Sequence, residues 1–296
     1  MQSGIINIYK EKGFTSHDVV AKVRGILRER KIGHTGTLDP DAEGVLPICI
    51  GKATKVVPYL TDADKCYEAV VRLGAYTTTE DASGEIIESF EVNVTKEQVL
   101  QVIKSFEGLY TQTPPMYSAI KVNGVRLYEL ARKGIVIERP SREVNIMKCE
   151  LIEWIDETSF KIRVDCSKGT YIRTLCTDIG RKLGCGAYME SLLRTRVGSF
   201  YLKESITLST LEANKLNVEP FIHTIESMFK EYEAVTIKPE YNKYLYNGNP
   251  LTLKAIEYLP KNDKPFLRVY DEKGQFIGLY KVNESSNQLV MERNFM

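Results

Sequence analysis

The sequence has few of the residues that build metal and disulfide sites. Its 296 residues include three histidines and six cysteines. The cysteines form no CxxC pair, so the ligand spacing of a zinc site is missing. We expect scattered, buried, reduced thiols. The motifs of phosphate loops, dinucleotide folds and metal sites are also absent, which argues against the chemistries built on them.

Long apolar runs and a strong excess of one charge are missing as well. No stretch of about eighteen apolar residues could span a membrane. The first ten residues lack the basic start and apolar core of a signal peptide, so we expect a cytoplasmic protein. The net charge is +1, and any contact with nucleic acid must come from local basic patches. A hydrophobic content of 43% predicts a globular protein with one large domain, or one large and one small domain.

One stretch rich in glycine and proline, GHTGTLDPDAEGVLP at residues 33–47, stands out from the rest of the chain. Its three glycines and two prolines rule out a continuous helix and predict a loop of fixed shape. The loop is polar around Asp39, and the apolar residues 45–50 predict a buried strand that anchors it. Rigidly supported loops often carry binding and catalytic groups. The alternative is that Asp39 only fixes a turn before Pro40.

This stretch resembles the signature of the TruB family, the tRNA pseudouridine-55 synthases. The family pattern is GHxGxLDP followed by AxGxLP, and every fixed position is present here. In that family the aspartate is catalytic, which corresponds to Asp39. The first family motif, KPxGxTS, is matched at residues 10–16 except that Glu11 replaces the proline, and with it the fixed φ of that turn.

Further segments resemble the family in the expected order, so that the likeness covers at least residues 5–200. They are GKATK at residues 51–55, a Lys-x-Tyr strand at 65–67, TTTEDASG at 77–84, QTPPMYSAIKVNG at 112–124, SKGTYIRTL at 167–175 and LLRTRVG at 192–198.

The resemblance implies three catalytic residues. Asp39 would be the essential carboxylate, either as nucleophile or as base toward the sugar. Tyr67 would stack on the target base and help to remove a proton from its carbon, although a tyrosine in a strand is more often part of a core. Arg173 would hold Asp39 ionised and in a fixed pose. An apolar stripe over residues 172–183 predicts a helix with Arg173 in its first turn, off the buried face.

Other positions are expected to bind the substrate. His34 would displace or hold a flipped nucleotide, Tyr171 and Leu192 would line the pocket, and Arg194 would lie near the RNA backbone. The remaining substrate-binding candidates are Lys10 and Lys55. Two basic segments, residues 28–31 and the tyrosine-rich residues 117–133, suit phosphates and stacked bases; the alternatives are a solvated helix end and a structural hairpin.

The resemblance also implies an α+β fold. A pseudouridine synthase catalytic domain at residues 1–230 would hold a large mixed, mainly antiparallel sheet flanked by helices. Thr15 with Asp18 and Thr95 with Gln98 predict capped helix starts. From about residue 229, short strands and turn signals predict a small β-barrel. We assign residues 231–296 to a PUA-like RNA-binding domain, with a packing module as the alternative.

The implied reaction is isomerisation of uridine to pseudouridine at position 55 in the T-loop of tRNA, by base flipping and without a cofactor or metal. The expected partner is the T-arm stem-loop of tRNA. We expect a monomer without an obligate protein partner, since no coiled-coil heptads are present. Two alternatives stay open at this point: a non-catalytic tRNA-binding or tRNA-folding protein, and a synthase guided by a small RNA or directed at messenger RNA.

Overall fold

The computed structural model describes residues 3–122, 124–260 and 264–296. Asn123, which belongs to one of the family motifs, lies outside the described residues. The strands up to residue 201 are β1 (Gly4–Lys10), β2 (Ile32–His34), β3 (Glu43–Ile50), β4 (Lys65–Leu73), β5 (Ala75–Thr77), β6 (Ile86–Ser89), β7 (Gly108–Gln112), β8 (Lys121–Val122), β9 (Val125–Arg126), β10 (Arg142–Asp156), β11 (Ser159–Cys166), β12 (Ala187–Val197) and β13 (Phe200–Tyr201). The later strands are β14 (Ile222–His223), β15 (Glu233–Thr236), β16 (Leu251–Thr252), β17 (Leu267–Tyr270), β18 (Phe276–Asn283) and β19 (Gln288–Asn294).

The α-helices lie between these strands. They are α1 (Ser16–Leu27), α2 (Val57–Asp62), α3 (Lys96–Lys104), α4 (Leu127–Ala131), α5 (Ile172–Leu183), α6 (Leu208–Ala213) and α7 (Asn242–Tyr246). Short 3₁₀ helices lie at Gly51–Val56, Leu202–Glu204, Glu219–Phe221, Glu226–Phe229, Pro239–Tyr241 and Leu253–Ala255.

A ten-stranded sheet forms the larger part of the molecule. Its order is β14-β1-β3-β12-β4-β11-β10-β7, with β2 paired to β3 and β13 to β12. Strands β3 and β12 pair in parallel, whereas the other pairs in this sheet are antiparallel. The predicted mixed, mainly antiparallel sheet is therefore confirmed.

Local sequence signals fix the helices that flank this sheet. Thr15 and Asp18 form the expected reciprocal capping box, with N···O distances of 2.8 and 3.0 Å. Thr95 and Gln98 form the second one at the start of α3. Helix α1 buries valines against β1 and β3, while α3 and α5 bury their apolar faces on the strands β4, β10 and β11.

The C-terminal part has its own sheet and its own core. Five strands follow the order β15-β17-β18-β19-β16, and β17 and β18 form an antiparallel hairpin. Their inner faces enclose a separate apolar cluster that includes Val269, Ile277 and Leu289. This curled sheet is consistent with a PUA-like domain. It packs on the large sheet through Phe229 and Phe295.

The six cysteines are buried free thiols, as predicted. Burial raises the pKa of Cys49 and of Cys166 to about 12, so these thiols stay protonated at neutral pH. Across the described ranges, none of the helices combines the length and the apolar character needed to cross a bilayer.

Gly44 lets β3 approach β12 where the polar loop enters the sheet. Its φ is +107°, and a Cβ added there would lie 2.2 Å from the main-chain oxygen of Arg194. Both strain and overlap would follow, so we expect Gly44→Ala to destabilise the protein by at least about 3 kcal/mol in urea unfolding.

The matched control for this change is Gly274→Ala. Gly274 has a φ of +76° but nothing within 4 Å of an added Cβ. It should cost only the backbone strain, about 1 kcal/mol. Equal losses for the two variants would show that the close approach of β3 to β12 is unimportant for stability.

Candidate active site

A cavity of about 770 Å³ opens where the loop at residues 35–42 meets the middle of the large sheet. Its volume falls in the range of small-ligand sites. The structure brings six of the nine predicted site residues to this cavity: Asp39, Tyr67, Tyr171, Arg173, Leu192 and Arg194. They come from the loop, from β4, from the start of α5 and from β12, so elements far apart in sequence build one site.

Asp39 and Arg173 form an ion pair on the cavity wall. Nε of Arg173 lies 3.1 Å from Oδ2 of Asp39, and one Nη lies 3.4 Å from Oδ1. The guanidinium therefore meets both carboxylate oxygens and fixes the plane of the carboxylate. The Asp39 side chain is 39% exposed and faces the open cavity, while the Arg173 side chain is only 6% exposed.

The position of Arg173 corrects the prediction that it lies off the buried face of its helix. Its guanidinium is covered on the other side by two segments distant in sequence. It donates to the main-chain oxygens of Thr79, at 3.2 Å, and of Tyr117, at 2.9 Å. It also lies 3.4 Å from a carboxylate oxygen of Asp81. Five contacts of its own N–H groups thus hold Arg173 between two carboxylates and two carbonyls.

Asp81 is a site residue that sequence reasoning did not name. Its Oδ1 accepts hydrogen bonds from Thr79 Oγ1, at 2.7 Å, and from the Ser83 amide, at 3.0 Å. These bonds leave Oδ2 directed at Arg173. The signal was available, because Asp81 lies in the segment TTTEDASG at residues 77–84, which resembles the family.

The pKa of Asp39 is raised above its ordinary value near 3.8. The main cause is burial in the cavity wall; the Arg173 charge opposes it, and the Asp81 charge adds to it. The family resemblance predicts that Arg173 keeps Asp39 ionised. The ion pair exists, but it only partly offsets the loss of solvent.

This direction predicts where activity fails at low pH. A carboxylate is ionised only above its pKa, so raising that pKa moves the acid limit of kcat/KM upward, above the pH of about 4 at which ordinary aspartates titrate. The exposed Asp41 is one of the charges that raise the pKa of Asp39. Asp41→Asn is therefore expected to move the acid limit to lower pH. An unchanged or upward limit in a pH–rate profile would contradict this account.

Tyr67 forms the floor of the cavity beside the apolar core. It is 9% exposed and packs within the cluster that contains Leu192 and Ile172. Burial raises the pKa of its phenol, and the nearby Arg194 charge opposes that rise. Tyr67 therefore belongs to the core and also lines the cavity, while its stacking on a target base stays a prediction.

Tyr171 is held at the N-terminus of α5 by long-range bonds. The Gln112 side chain accepts from the Tyr171 amide at 2.8 Å and donates to its carbonyl at 2.9 Å. The Arg142 guanidinium lies over the Tyr171 ring, 4.7 Å from its centroid. The Tyr171 ring therefore holds the Arg142 cation at the cavity mouth.

The basic and aromatic segment continues this mouth. Strands β8 and β9 form a hairpin, and the guanidiniums of Arg126 and Arg132 lie over the Tyr128 ring, 5.9 and 5.4 Å from its centroid. Tyr117, Tyr128 and Arg132 line the cavity. The structural-hairpin interpretation and the RNA-facing interpretation are thus compatible.

Lys10 and Arg194 do not take the positions expected of phosphate contacts. Lys10 is 0% and Arg194 1% exposed. The Lys10 ammonium donates to the main-chain oxygens of Pro40 and Ala42, at 3.0 and 2.6 Å. Arg194 donates to those of Val45 and Gly36. Both predictions are corrected in the same way: these cations support the loop from below, since a phosphate contact needs an exposed head group.

His34 and Lys55 lie outside the cavity lining. His34 packs edge-on against His17 at 5.6 Å between ring centroids, and its buried Nδ1 has no hydrogen-bond partner. Burial lowers the pKa of His34, which favours the neutral ring. The Lys55 ammonium donates to the main-chain oxygen of Asn294, at 2.6 Å, and so joins the large sheet to the C-terminal one.

Within the described part of the chain, no group of three or more His, Cys, Asp or Glu side chains could hold a metal ion. The groups gathered at the cavity are instead carboxylates, of which Asp39 is held by Arg173, together with cations and aromatic rings. This set can bind a base by stacking and can supply one charged oxygen pair to a reacting sugar.

Residues 24–172 match the family described as TruB family pseudouridylate synthase (N terminal domain), and residues 173–230 match tRNA pseudouridylate synthase B C-terminal domain. The chain belongs to the TruB family. The motif resemblance found in the sequence is thereby confirmed. Asp39 and Arg173 belong to two different motifs and meet only through the fold.

Curated members of the TruB family are similar over nearly the whole chain. The tRNA pseudouridine synthase B of Clostridium acetobutylicum is 44% identical over 288 residues, which cover 97% of this chain and 98% of that protein. The protein of the same name from Lachnoclostridium phytofermentans is 49% identical over 299 residues, covering 96% and 97%.

Solved structures share the fold of both parts of the chain. A chain in a Cbf5-Nop10-Gar1 complex matches with a TM-score of 0.76 at 30% identity, covering 99% of this chain and 85% of that one. A chain in an H/ACA RNP bound to a substrate RNA containing 2'-deoxyuridine matches with a TM-score of 0.75 at 28% identity, with coverage of 99% and 85%. The predicted α+β fold of this family is confirmed.

Proposed function

We propose that this chain isomerises uridine to pseudouridine at position 55 in the T-loop of tRNA. It is an isomerase of the TruB family, and its curated relatives act on tRNA. The observation that carries the proposal is the Asp39 carboxylate, which Arg173 holds at 3.1 Å on the wall of a cavity floored by Tyr67.

In the proposed reaction the bond between N1 of the base and C1′ of the ribose breaks, the base turns in the cavity, and C5 joins C1′. The Asp39 carboxylate acts on the ribose, either as nucleophile or as base, and Arg173 fixes the orientation of its two oxygens. Tyr67 stacks on the base and takes the proton from C5. The chemistry neither oxidises nor hydrolyses the substrate, so we propose that no cofactor or metal takes part.

Binding requires the target uridine to leave its stack, which costs a few kcal/mol. Phosphate contacts by exposed cations near the mouth, such as Arg132, would offset that cost and make binding sensitive to salt. His34 would hold the loop nucleotides next to the target, and Lys55 would contact the substrate at the junction of the two parts. Lys10 contributes indirectly, through the loop that it supports.

We also propose two domains, a catalytic one at residues 1–230 and a PUA-like RNA-binding one at residues 231–296. The second sheet begins at Glu233 and has a separate core, which supports this division. We propose that the protein works as a cytoplasmic monomer. Nop10 and Gar1 belong to the complexes of the solved relatives and are not needed for the proposed reaction.

The test uses unmodified tRNA transcripts labelled with tritium at C5 of uridine. Isomerisation at C5 releases the label into water, at most one equivalent per tRNA. A matched transcript in which only U55 is replaced by cytidine should release none. No release from any tRNA would refute the enzyme and favour a tRNA-binding protein; release from both transcripts would refute the site.

A further inference from the structure

Arg194 is a buried arginine without an acidic partner. It is 1% exposed, and its guanidinium donates to the main-chain oxygen of Val45, at 2.8 Å, and to that of Gly36, at 3.5 Å. Among the described residues no Asp or Glu forms an ion pair with it. A buried cation is costly unless an anion balances it. Its retention at the floor of the cavity therefore points to a negative charge that forms there during the reaction.

Arg194 lies directly opposite Tyr67. The two residues are cross-strand partners in the antiparallel pair β12–β4, where opposite side chains are in contact range. On its other side Arg194 pairs with Gly44 of β3, which has no side chain to share its charge. The charge of the guanidinium and a side-chain hydrogen bond from it both favour the ionised phenol of Tyr67, against the effect of burial on its pKa.

The other groups around the pair do not compensate the charge. Tyr67 is faced by Arg194 from β12, by Cys166 from β11 and by Asp39 from the loop, and Arg194 alone among these favours an ionised phenol. The charge of Arg194 also lowers the pKa of Lys10, Lys65 and His34. None of these three groups is an anion that could balance the charge of Arg194.

The proposed reaction needs a base at this point. Once C5 has joined C1′, C5 still carries its proton. The C5–H bond breaks, and its electron pair forms the C5=C6 double bond. The electrons of the N1=C6 bond return to N1, which takes a proton from water. The C5 proton passes to the phenolate oxygen of Tyr67 and leaves from there to solvent.

We propose that Arg194 is a positioning residue that acts through Tyr67, because its uncompensated guanidinium stabilises the phenolate that accepts the C5 proton. This inference rests on the proposed function. It gives Arg194 a role in one chemical step rather than in holding the RNA backbone. Burial raises the pKa of Tyr67 and Arg194 opposes that rise, so removing the charge should make the phenolate scarcer.

The test compares Arg194→Gln and Arg194→Lys in single turnover, with tRNA carrying hydrogen or deuterium at C5 of uridine. For Arg194→Gln we expect a rate about 10- to 100-fold lower, since each unit added to the pKa of Tyr67 removes tenfold of the phenolate. The deuterium isotope effect should exceed that of the wild type, because proton removal becomes slower. The deficit should shrink as the pH is raised. Arg194→Lys, which keeps the charge, should retain more of the rate.

Arg196→Gln is the matched control. Arg196 lies on the same strand, outside the cavity lining, and pairs with Asp165 at 2.8 Å. It should keep the isotope effect of the wild type. Circular dichroism and filter binding of tRNA show that each variant is folded and binds substrate.

A purely structural role would slow the reaction without these signatures. The proposal would be overturned by a folded Arg194 variant that is slower than the wild type but shows no raised isotope effect and no recovery of rate at higher pH. Full activity of Arg194→Gln would also overturn it. If Arg194→Gln does not fold, Arg194→Lys is judged by the same two signatures. If the wild type turns over normally alongside a result that overturns the proposal, only the proposed role of Arg194 is rejected and the proposed function stands. A wild type inert toward every tRNA overturns the proposed function with it.

Discussion

Replacing Asp39 with asparagine is expected to stop the isomerisation while leaving tRNA binding intact. The amide has the same shape and can still accept from Arg173, but it has no charge to act at the ribose. We expect the release of C5 tritium to fall by about four orders of magnitude or more, as when an essential group of an active site is removed. Filter binding of tRNA should change little, since the variant only loses a negative charge facing RNA.

The control for this prediction is Asp41→Asn. Asp41 lies two residues away on the same loop and is exposed, so it tests the loss of one negative charge there without touching the Arg173 pair. It should keep turnover at neutral pH. Turnover by Asp39→Asn, or an equal loss in Asp41→Asn, would remove Asp39 from the centre of the mechanism. A wild type that binds tRNA but is as inactive as Asp39→Asn would identify a binding protein.

Replacing Arg173 is expected to have the second-largest effect. Arg173→Gln leaves Asp39 and Asp81 facing each other without the cation between them, so the pKa of Asp39 should rise and its pose should loosen. We expect kcat to fall about 100- to 1,000-fold, the range for losing one preorganised charged group, and the acid limit of the pH–rate profile to move upward. Arg173→Lys should recover only part of the rate, because one ammonium cannot match the planar fork that reaches two carboxylates and two carbonyls.

The matched control lies on the same helix. Arg181 is 68% exposed and pairs with Asp178, so Arg181→Gln makes the same charge change away from the cavity. Its kcat and its pH profile should stay close to those of the wild type. Full activity of Arg173→Lys would show that charge alone, without the forked geometry, is enough.

Much of the fold followed from short-range patterns. The starts of α1 and α3 could be predicted because a capping box joins residues only three apart, and both boxes are present. The strand β3 followed from the apolar residues 45–50 that come directly after the loop. The loop at residues 33–47 followed from glycine and proline, which act on their own backbone. Asp39 and Tyr67 were identified through motifs in which each residue lies next to its own markers.

The wrong predictions concern the burial of individual side chains, which depends on distant parts of the chain that pack over them. Helical periodicity placed Arg173 off the apolar stripe of α5, which was right for the helix alone, but the segments around Thr79 and Tyr117 close over that side. Lys10 and Arg194 have charged side chains that the resemblance assigned to substrate binding. The loop covers both side chains, and their charged groups donate hydrogen bonds to its main-chain oxygens. Asp81 was overlooked because its meaning depends on Arg173, 92 residues away.

The sequence by itself therefore determined the family, the starts of two helices and the loop that carries the proposed catalytic carboxylate, because each of these depends on neighbouring residues. Only the tertiary structure decided which cations are buried, that Asp81 shares Arg173 with Asp39, and that Arg194 faces Tyr67 without an acidic partner. These features depend on the parallel pairing of β3 with β12 and on loops that close over α5. Such long-range contacts set burial and charge balance, and no local pattern in the chain encodes them.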